Sequence, residues 1–117
     1  MTQPKFGFAV EYVKDIERAK RFYTDVVGLE VERTHPTFVQ FASFALASDV
    51  GLNGTRDTEL YWLVDDAAAA FRDLSTKAEI TLPLGEKPFG KVFGIRDPDG
   101  QPRYLLELSR NRPSKPT

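Results

Sequence analysis

A chain of 117 residues, 41% hydrophobic and 28% charged, has ordinary globular composition and buries roughly two-thirds of its unfolded surface, which predicts one domain. Sixteen Lys and Arg against seventeen Asp and Glu leave a net charge of -1, with no basic excess to neutralise a phosphate backbone, so nucleic acid is not an expected partner. The absence of cysteine removes disulfides, thiolate metal sites and thiol nucleophiles, and the absence of any apolar run near ~20 residues or of a signal peptide makes a cytoplasmic protein without membrane partners the expectation.

In chain order, Phe6 to Val13 (FGFAVEYV) is short, apolar and rich in β-branched and aromatic residues, which predicts a strand. Asp15 follows as an N-cap, its carboxylate placed to accept from the free amides of a first helical turn. Ile16, Ala19, Phe22, Tyr23, Val26 and Val27 then recur at three- and four-residue steps, the apolar stripe of one helix, with Gly28 placed for a left-handed C-cap. Leu29 to Thr34 reads as a strand and His35-Pro36 as a turn. Thr37 to Phe44 and Ala45 to Leu52 read as two more strands, and Asn53-Gly54 marks a loop.

The second half repeats this order. Glu59 to Val64 predicts a strand, Asp65 or Asp66 a second N-cap, and Ala67 to Ala78 a helix buried through Ala70, Phe71 and Leu74. Ile80 to Leu84 reads as a strand, Gly85 to Gly90 as a loop in which Glu86 to Gly90, with Phe89, is a candidate lid, and Lys91 to Arg96 as a strand. Asp97-Pro98-Asp99-Gly100 is a tight turn by composition, and Arg103 to Leu108 the returning strand. Arg110 to Thr117, with two prolines and no apolar anchor, predicts a flexible tail. Val13, Asp15 and Ala19 are echoed by Val64, Asp66 and Ala70, each displaced by 51. The chain thus divides into a unit at about 5–53 and another at about 57–109, each βαβββ, and the expected class is α+β.

Three stretches carry a resemblance to the vicinal oxygen chelate superfamily, which includes glyoxalase I, extradiol dioxygenases, fosfomycin-resistance enzymes and bleomycin-binding proteins. Glu11 to Leu29 (EYVKDIERAKRFYTDVVGL) resembles its opening strand and helix, Leu60 to Leu74 the same segment of the second half, and Gly90 to Leu108 (GKVFGIRDPDGQPRYLLEL) its closing hairpin. The resemblance implies a curved mixed sheet whose two halves form a cup for a ligand, and a homodimer. For metal-dependent members it implies one ligand on each of four strands. Those positions fall here on Phe8, on Glu59 displaced by 51, on Tyr104 four residues past the DPDG glycine, and within Phe38 to Ser48, where there is no acid and no histidine. The chain's one histidine, His35, belongs to a turn. A divalent ion needs several oxygen or nitrogen ligands, so neither a metal nor another cofactor is expected. A longer hairpin would slide Glu107 into the place of Tyr104 and give a Glu59–Glu107 pair, but strand alternation puts Glu107 on the opposite face.

Phe8, Val10 and Tyr12 share one face of the first strand, and Glu59, Tyr61 and Leu63 the equivalent face of the fifth, with Trp62 in the core beneath a helix. The resemblance gathers Phe8, Tyr61 and Tyr104 into one concavity, where their rings would stack on a flat or apolar ligand. Tyr12, Phe44, Glu59 and Arg96 complete the expected ligand-binding set, Glu59 as the nearby charge and Arg96 at the rim. Glu11 is aimed under the helix, where an unpaired carboxylate is costly. Pairing with Arg18 or Arg21, a bulge, or a subunit contact are its three expected remedies. The expected function is metal-independent binding of an aromatic or amphipathic small molecule, similar to the bleomycin-binding branch, with no catalytic residue. A divergent lyase, isomerase or dioxygenase holding an ion on Glu59 and Glu107 is the competing expectation, and an interaction module with a self-filled cup a third.

Overall fold

The computed structural model describes residues 3–49, 51–52 and 54–109. Their order is β1 (Lys5–Tyr12), α1 (Ile16–Arg21) running into a π-helical segment (Phe22–Val27), β2 (Arg33–His35), β3 (Phe38–Gln40), β4 (Phe44–Ala47), β5 (Glu59–Leu63), α2 (Ala67–Leu74), β6 (Ile80–Lys87), β7 (Gly90–Arg96) and β8 (Pro102–Leu108). Two βαβββ runs follow one another, so the chain adopts the expected α+β class. The predicted tail from Arg110 to Thr117, and Asn53 of the predicted loop, lie outside the described residues. Among the described residues no helix is long and apolar enough to cross a membrane.

Both runs pair their strands in the same way. The first has the order β2-β3-β4-β1, with β1 parallel to β4 and the other neighbours antiparallel. The second has the order β6-β7-β8-β5, with β5 parallel to β8 and the others antiparallel. By contacts the described chain divides into two compact units, Gly7–Leu60 and the remainder. That cut places Glu59, the first residue of β5, in the first unit.

The first unit is built on a capped helix. Asp15 is extended (φ -125, ψ 100) and its carboxylate accepts from the Arg18 N–H at 3.1 Å. The helix then widens: the Gly28 N–H reaches back five residues to the Tyr23 carbonyl at 3.0 Å, and Gly28 closes the segment at φ 92. The expected apolar stripe is therefore only partly buried. Ile16, Ala19 and Tyr23 pack on the Val39–Phe41–Leu46 core, but Phe22, Val26 and Val27 are 49%, 71% and 51% exposed. A wider turn rotates the later residues away from the face that a 3.6-residue period assigns them. The predicted strand from Leu29 starts only at Arg33, because Leu29 and Val31 pack on the core instead of joining the strand ladder. The next two strands join not between Phe44 and Ala45 but in a tight turn before Phe44, with Ala42 at φ 103 and Phe41 N–H on the Phe44 carbonyl at 2.7 Å.

The second unit repeats the cap. Asp66 (φ -144, ψ 99) accepts from Ala69 N–H at 3.1 Å, so the choice between Asp65 and Asp66 falls on the one displaced by 51 from Asp15. The helix is shorter than predicted, ending at Leu74. Its buried Ala70, with Phe71 and Leu74, packs on Phe93 and Leu105, and Trp62 joins that core as expected. The candidate lid is not a loop: β6 continues to Lys87 and meets β7 across the two residues Pro88 and Phe89. Two register shifts in β6 had masked the alternation. Gly90 permits the following close approach, because a Cβ there would overlap the Glu107 carbonyl oxygen. The predicted DPDG turn forms, with Asp97 accepting from the Asp99 and Gln101 N–H groups at 2.9 Å each and Gly100 at φ 87. Ala45, Leu46 and Ala47 of β4, and Tyr104, Leu105 and Leu106 of β8, are buried without alternation, so these two strands are covered on both faces, whereas burial in their parallel partners β1 and β5 alternates.

Candidate functional site

Glu59 organises the site of the first unit. It is 3% exposed, and a carboxyl group so placed must find hydrogen bonds. Tyr12, at the end of β1, donates its phenol O–H to Oε1 at 2.6 Å, and the Leu52 backbone N–H donates to Oε2 at 2.8 Å. The short phenol contact is in the range of charge-assisted O–H donors. The loop that delivers Leu52 is closed by the Gly51 N–H on the Thr55 carbonyl at 2.7 Å. Arg56 fastens it to the residue that follows β1, donating to the Val13 carbonyl at 2.8 Å. Gly51 is what admits the carboxyl group: a Cβ there would overlap Oε2 and stand 2.9 Å from Cδ.

The other candidates in this unit separate onto two faces. Phe8 is buried, with its ring edge-on to Phe38 at 6.2 Å. Tyr12 shares its face. Phe44 does not: it pairs in register with Ala9, stacks on Phe41 at 5.9 Å and meets Tyr23 at 4.9 Å, inside the core under α1. The turn at Ala42 makes Phe44 the first residue of β4 and not the last of the preceding strand, which sets its face. His35 ends β2, exposed and in register with Phe38.

Glu11 pairs with neither Arg18 nor Arg21 among the described residues, and β1 pairs with β4 in unbroken register there, so neither an ion pair nor a bulge is its remedy. The Tyr23 phenol donates to its Oε1 at 2.9 Å, from two turns along the helix. That bond, with burial and the nearby negative charge, holds the Tyr23 phenol above its ordinary pKa of 10.0. A tyrosine inside an apolar stripe gave no signal of this role.

In the second unit Tyr61 and Tyr104 are neighbours in the β5–β8 register and stack at 5.3 Å with 25° between the rings. They are 5% and 1% exposed. Gly94 faces Tyr104 across β7–β8, and a Cβ there would stand 2.6 Å from Thr81 Oγ1 and 3.2 Å from Tyr104 Cε1. The Thr81 hydroxyl is buried with no hydrogen-bond partner among the described residues. Arg96 is exposed and turned to its own hairpin, donating to Glu79 Oε1 at 3.1 Å and the Gly100 carbonyl at 2.9 Å. Glu107 lies on the helix face, as alternation requires, and its Oε1 accepts the Ala67 N–H at the start of α2 at 2.9 Å. The hairpin register puts Tyr104, not Glu107, at the position four residues past Gly100.

These side chains do not fit a divalent metal. Of the four positions that the superfamily resemblance implies, one bears an acid, and both its oxygens already accept hydrogen bonds within the first unit. The alternative acid, Glu107, is engaged at a helix start. Among the described residues no three His, Cys, Asp or Glu side chains come together in a group able to hold an ion.

No curated protein matches the chain. Solved structures that resemble it include one titled NAD-dependent benzaldehyde dehydrogenase from Legionella pneumophila, 22% identical over 88% of this chain and 99% of that one, TM-score 0.77. A glyoxalase/bleomycin resistance protein/dioxygenase superfamily member from Vibrio splendidus 12B01 is 22% identical over 90% and 99%, TM-score 0.67. Methylmalonyl-CoA epimerase from Mycobacterium tuberculosis is 16% identical over 90% and 88%, TM-score 0.70. At these identities the likeness is one of fold. The family model of the glyoxalase-like domain matches residues 6–109, and with the duplicated βαβββ order this establishes that the chain belongs to the glyoxalase-like domain family.

Proposed function

We propose that this chain is a metal-independent small-molecule-binding protein of the glyoxalase-like family, taking up an aromatic or amphipathic compound and releasing it unchanged, as a cytoplasmic homodimer. The observation that carries the metal-independent part is the engagement of Glu59. The one acid at the implied metal-ligand positions has Tyr12 and Leu52 as donors to its two oxygens, and a cation taking their place would break both hydrogen bonds at once. The aromatic preference rests on the Tyr61–Tyr104 pair, whose flat surface suits a ring. Both rings are closed off in this structure, so a ligand reaches them only when the stack opens.

The test has three arms. Elemental analysis of the purified protein is expected to find no stoichiometric metal, and Ni, Mn, Fe, Co or Zn to leave the melting temperature unchanged. A stoichiometric ion with a stabilisation of several degrees would replace this reading with a metal-dependent lyase, isomerase or dioxygenase. A panel of aromatic compounds is expected to raise the melting temperature, to be recovered chemically unchanged, and to lose its effect in Tyr104→Ala. Sedimentation is expected to give twice the chain mass, and a single-chain mass would remove the dimer from the proposal.

A further inference from the structure

A second cluster of chemistry lies on the helix side of the first unit, independent of the reading above. The end of β1 and the start of α1 enclose an open depression of about 420 Å³. Val13 and Ala19 give it an apolar lining, Phe22 and Tyr23 an aromatic wall, and Glu11 and Asp15 its two acids. Phe22 is 49% exposed and stands edge-on to Tyr23 at 5.0 Å. Tyr23 fixes the Glu11 carboxyl group through Oε1, and no contact among the described residues takes Oε2. Asp15, also on the lining, is occupied as the helix cap. Lys14 and Arg18 stand there too, both exposed, and neither forms an ion pair among the described residues.

We infer that this depression is a binding site for a small aromatic zwitterion: an ammonium group on Glu11, a ring on Phe22 and Tyr23, and a carboxylate on Lys14 and Arg18. Each part of the assignment follows from one group. A carboxyl oxygen held by a phenol and facing apolar surface is a directed acceptor for N–H donors. The exposed Phe22 ring, with the half-buried Tyr23 edge-on behind it, attracts a cation and covers a ring. A simple amine would meet Lys14 and Arg18 as like charges, whereas a ligand with its own carboxylate turns both into partners. The volume falls within the range of small-molecule sites.

L-phenylalanine is the probe, read by amide NMR titration of the full chain, with phenylacetate and phenethylamine as halves of the molecule. Phenylalanine at about 10 mM, a concentration suited to weak affinity, is expected to shift the amides of Glu11, Lys14, Arg18 and Phe22 saturably and to bind tighter than either half. Glu11→Gln is expected to weaken phenylalanine and phenethylamine by about tenfold, the value of one charged hydrogen bond. The exposed pair Lys14→Ala with Arg18→Ala leaves the core untouched and is expected to weaken phenylalanine while leaving or improving phenethylamine. No saturable shift, shifts mapping elsewhere, or equal binding by the Lys14–Arg18 variant would overturn the inference. Loss of the ring-directed ligands tested above would not bear on it, because that test reads Tyr104.

Discussion

Replacing Gly51 with alanine tests whether Glu59 is clasped as the structure has it. The φ of Gly51 lies outside the left-handed region, so alanine meets no backbone penalty and the effect is steric. Its Cβ would overlap Glu59 Oε2, stand 2.9 Å from Cδ and touch the Thr55 carbonyl at 3.0 Å. The carboxyl group must move by about 1 Å to clear a normal carbon–oxygen contact, and that motion stretches the 2.8 Å bond from Leu52 beyond use. Losing one hydrogen bond to a charged group costs about 1.5–3 kcal/mol, and overpacking adds about 1 kcal/mol, so Gly51→Ala is expected to destabilise by ~2.5–4 kcal/mol. For a chain of this size that lowers the melting temperature by roughly 10–16 °C, which urea and thermal unfolding will both read. In a Glu59→Ala background only the 3.0 Å contact with the Thr55 carbonyl remains, and the same substitution is expected to cost about 1 kcal/mol, giving a coupling free energy of most of the effect. Equal penalties in the two backgrounds would refute the clasp.

Thr81→Val exchanges a buried hydroxyl without a partner for a methyl group of the same shape, so stability is expected to hold or rise by up to about 1 kcal/mol, and a clear loss in thermal unfolding would show that the hydroxyl is satisfied. Glu107→Ala removes the acceptor of the Ala67 N–H and a negative charge from the start of α2, for an expected loss of about 1–2 kcal/mol and faster amide exchange in Ala67–Leu74; unchanged exchange would contradict the assigned contact. The raised pKa of Tyr23 means that folding favours its neutral form, so its contribution is complete below about pH 10 and is lost as pH climbs through the raised value. Tyr23→Phe is expected to flatten that alkaline fall in urea-unfolding free energy, and Glu11→Gln to bring the Tyr23 titration back toward its ordinary value. An unaltered alkaline slope in Tyr23→Phe would sink the assignment.

Local chemistry made much of this fold legible. Two aspartates followed by apolar periodicity marked both helix starts, the glycine at position 28 marked one stop, and the DPDG segment marked the closing hairpin. These signals act within a few residues, where cap hydrogen bonds and backbone preference dominate. The displacement of 51 between matching residues then gave the repeated unit order. Strand alternation likewise set Trp62 in the core and Glu107 against the helix.

What alternation could not supply was the partner of each buried group. Glu59 was legible as an acid at a special position, but its donors come from Tyr12, 47 residues earlier, and from a loop amide that no side-chain pattern announces. Glu11 was legible as a misplaced charge, yet its partner, the Tyr23 phenol, comes from the π-helical segment 12 residues further on. The burial of Phe8, Tyr61 and Tyr104 was decided the same way: a strand's period gives the face of a residue but not what covers that face. Sequence by itself determined the elements, their order and the family, since these depend on short-range preference repeated twice. Only the tertiary structure decided which polar groups are spent on one another, because a buried hydrogen bond depends on distances between segments that the chain brings together from afar.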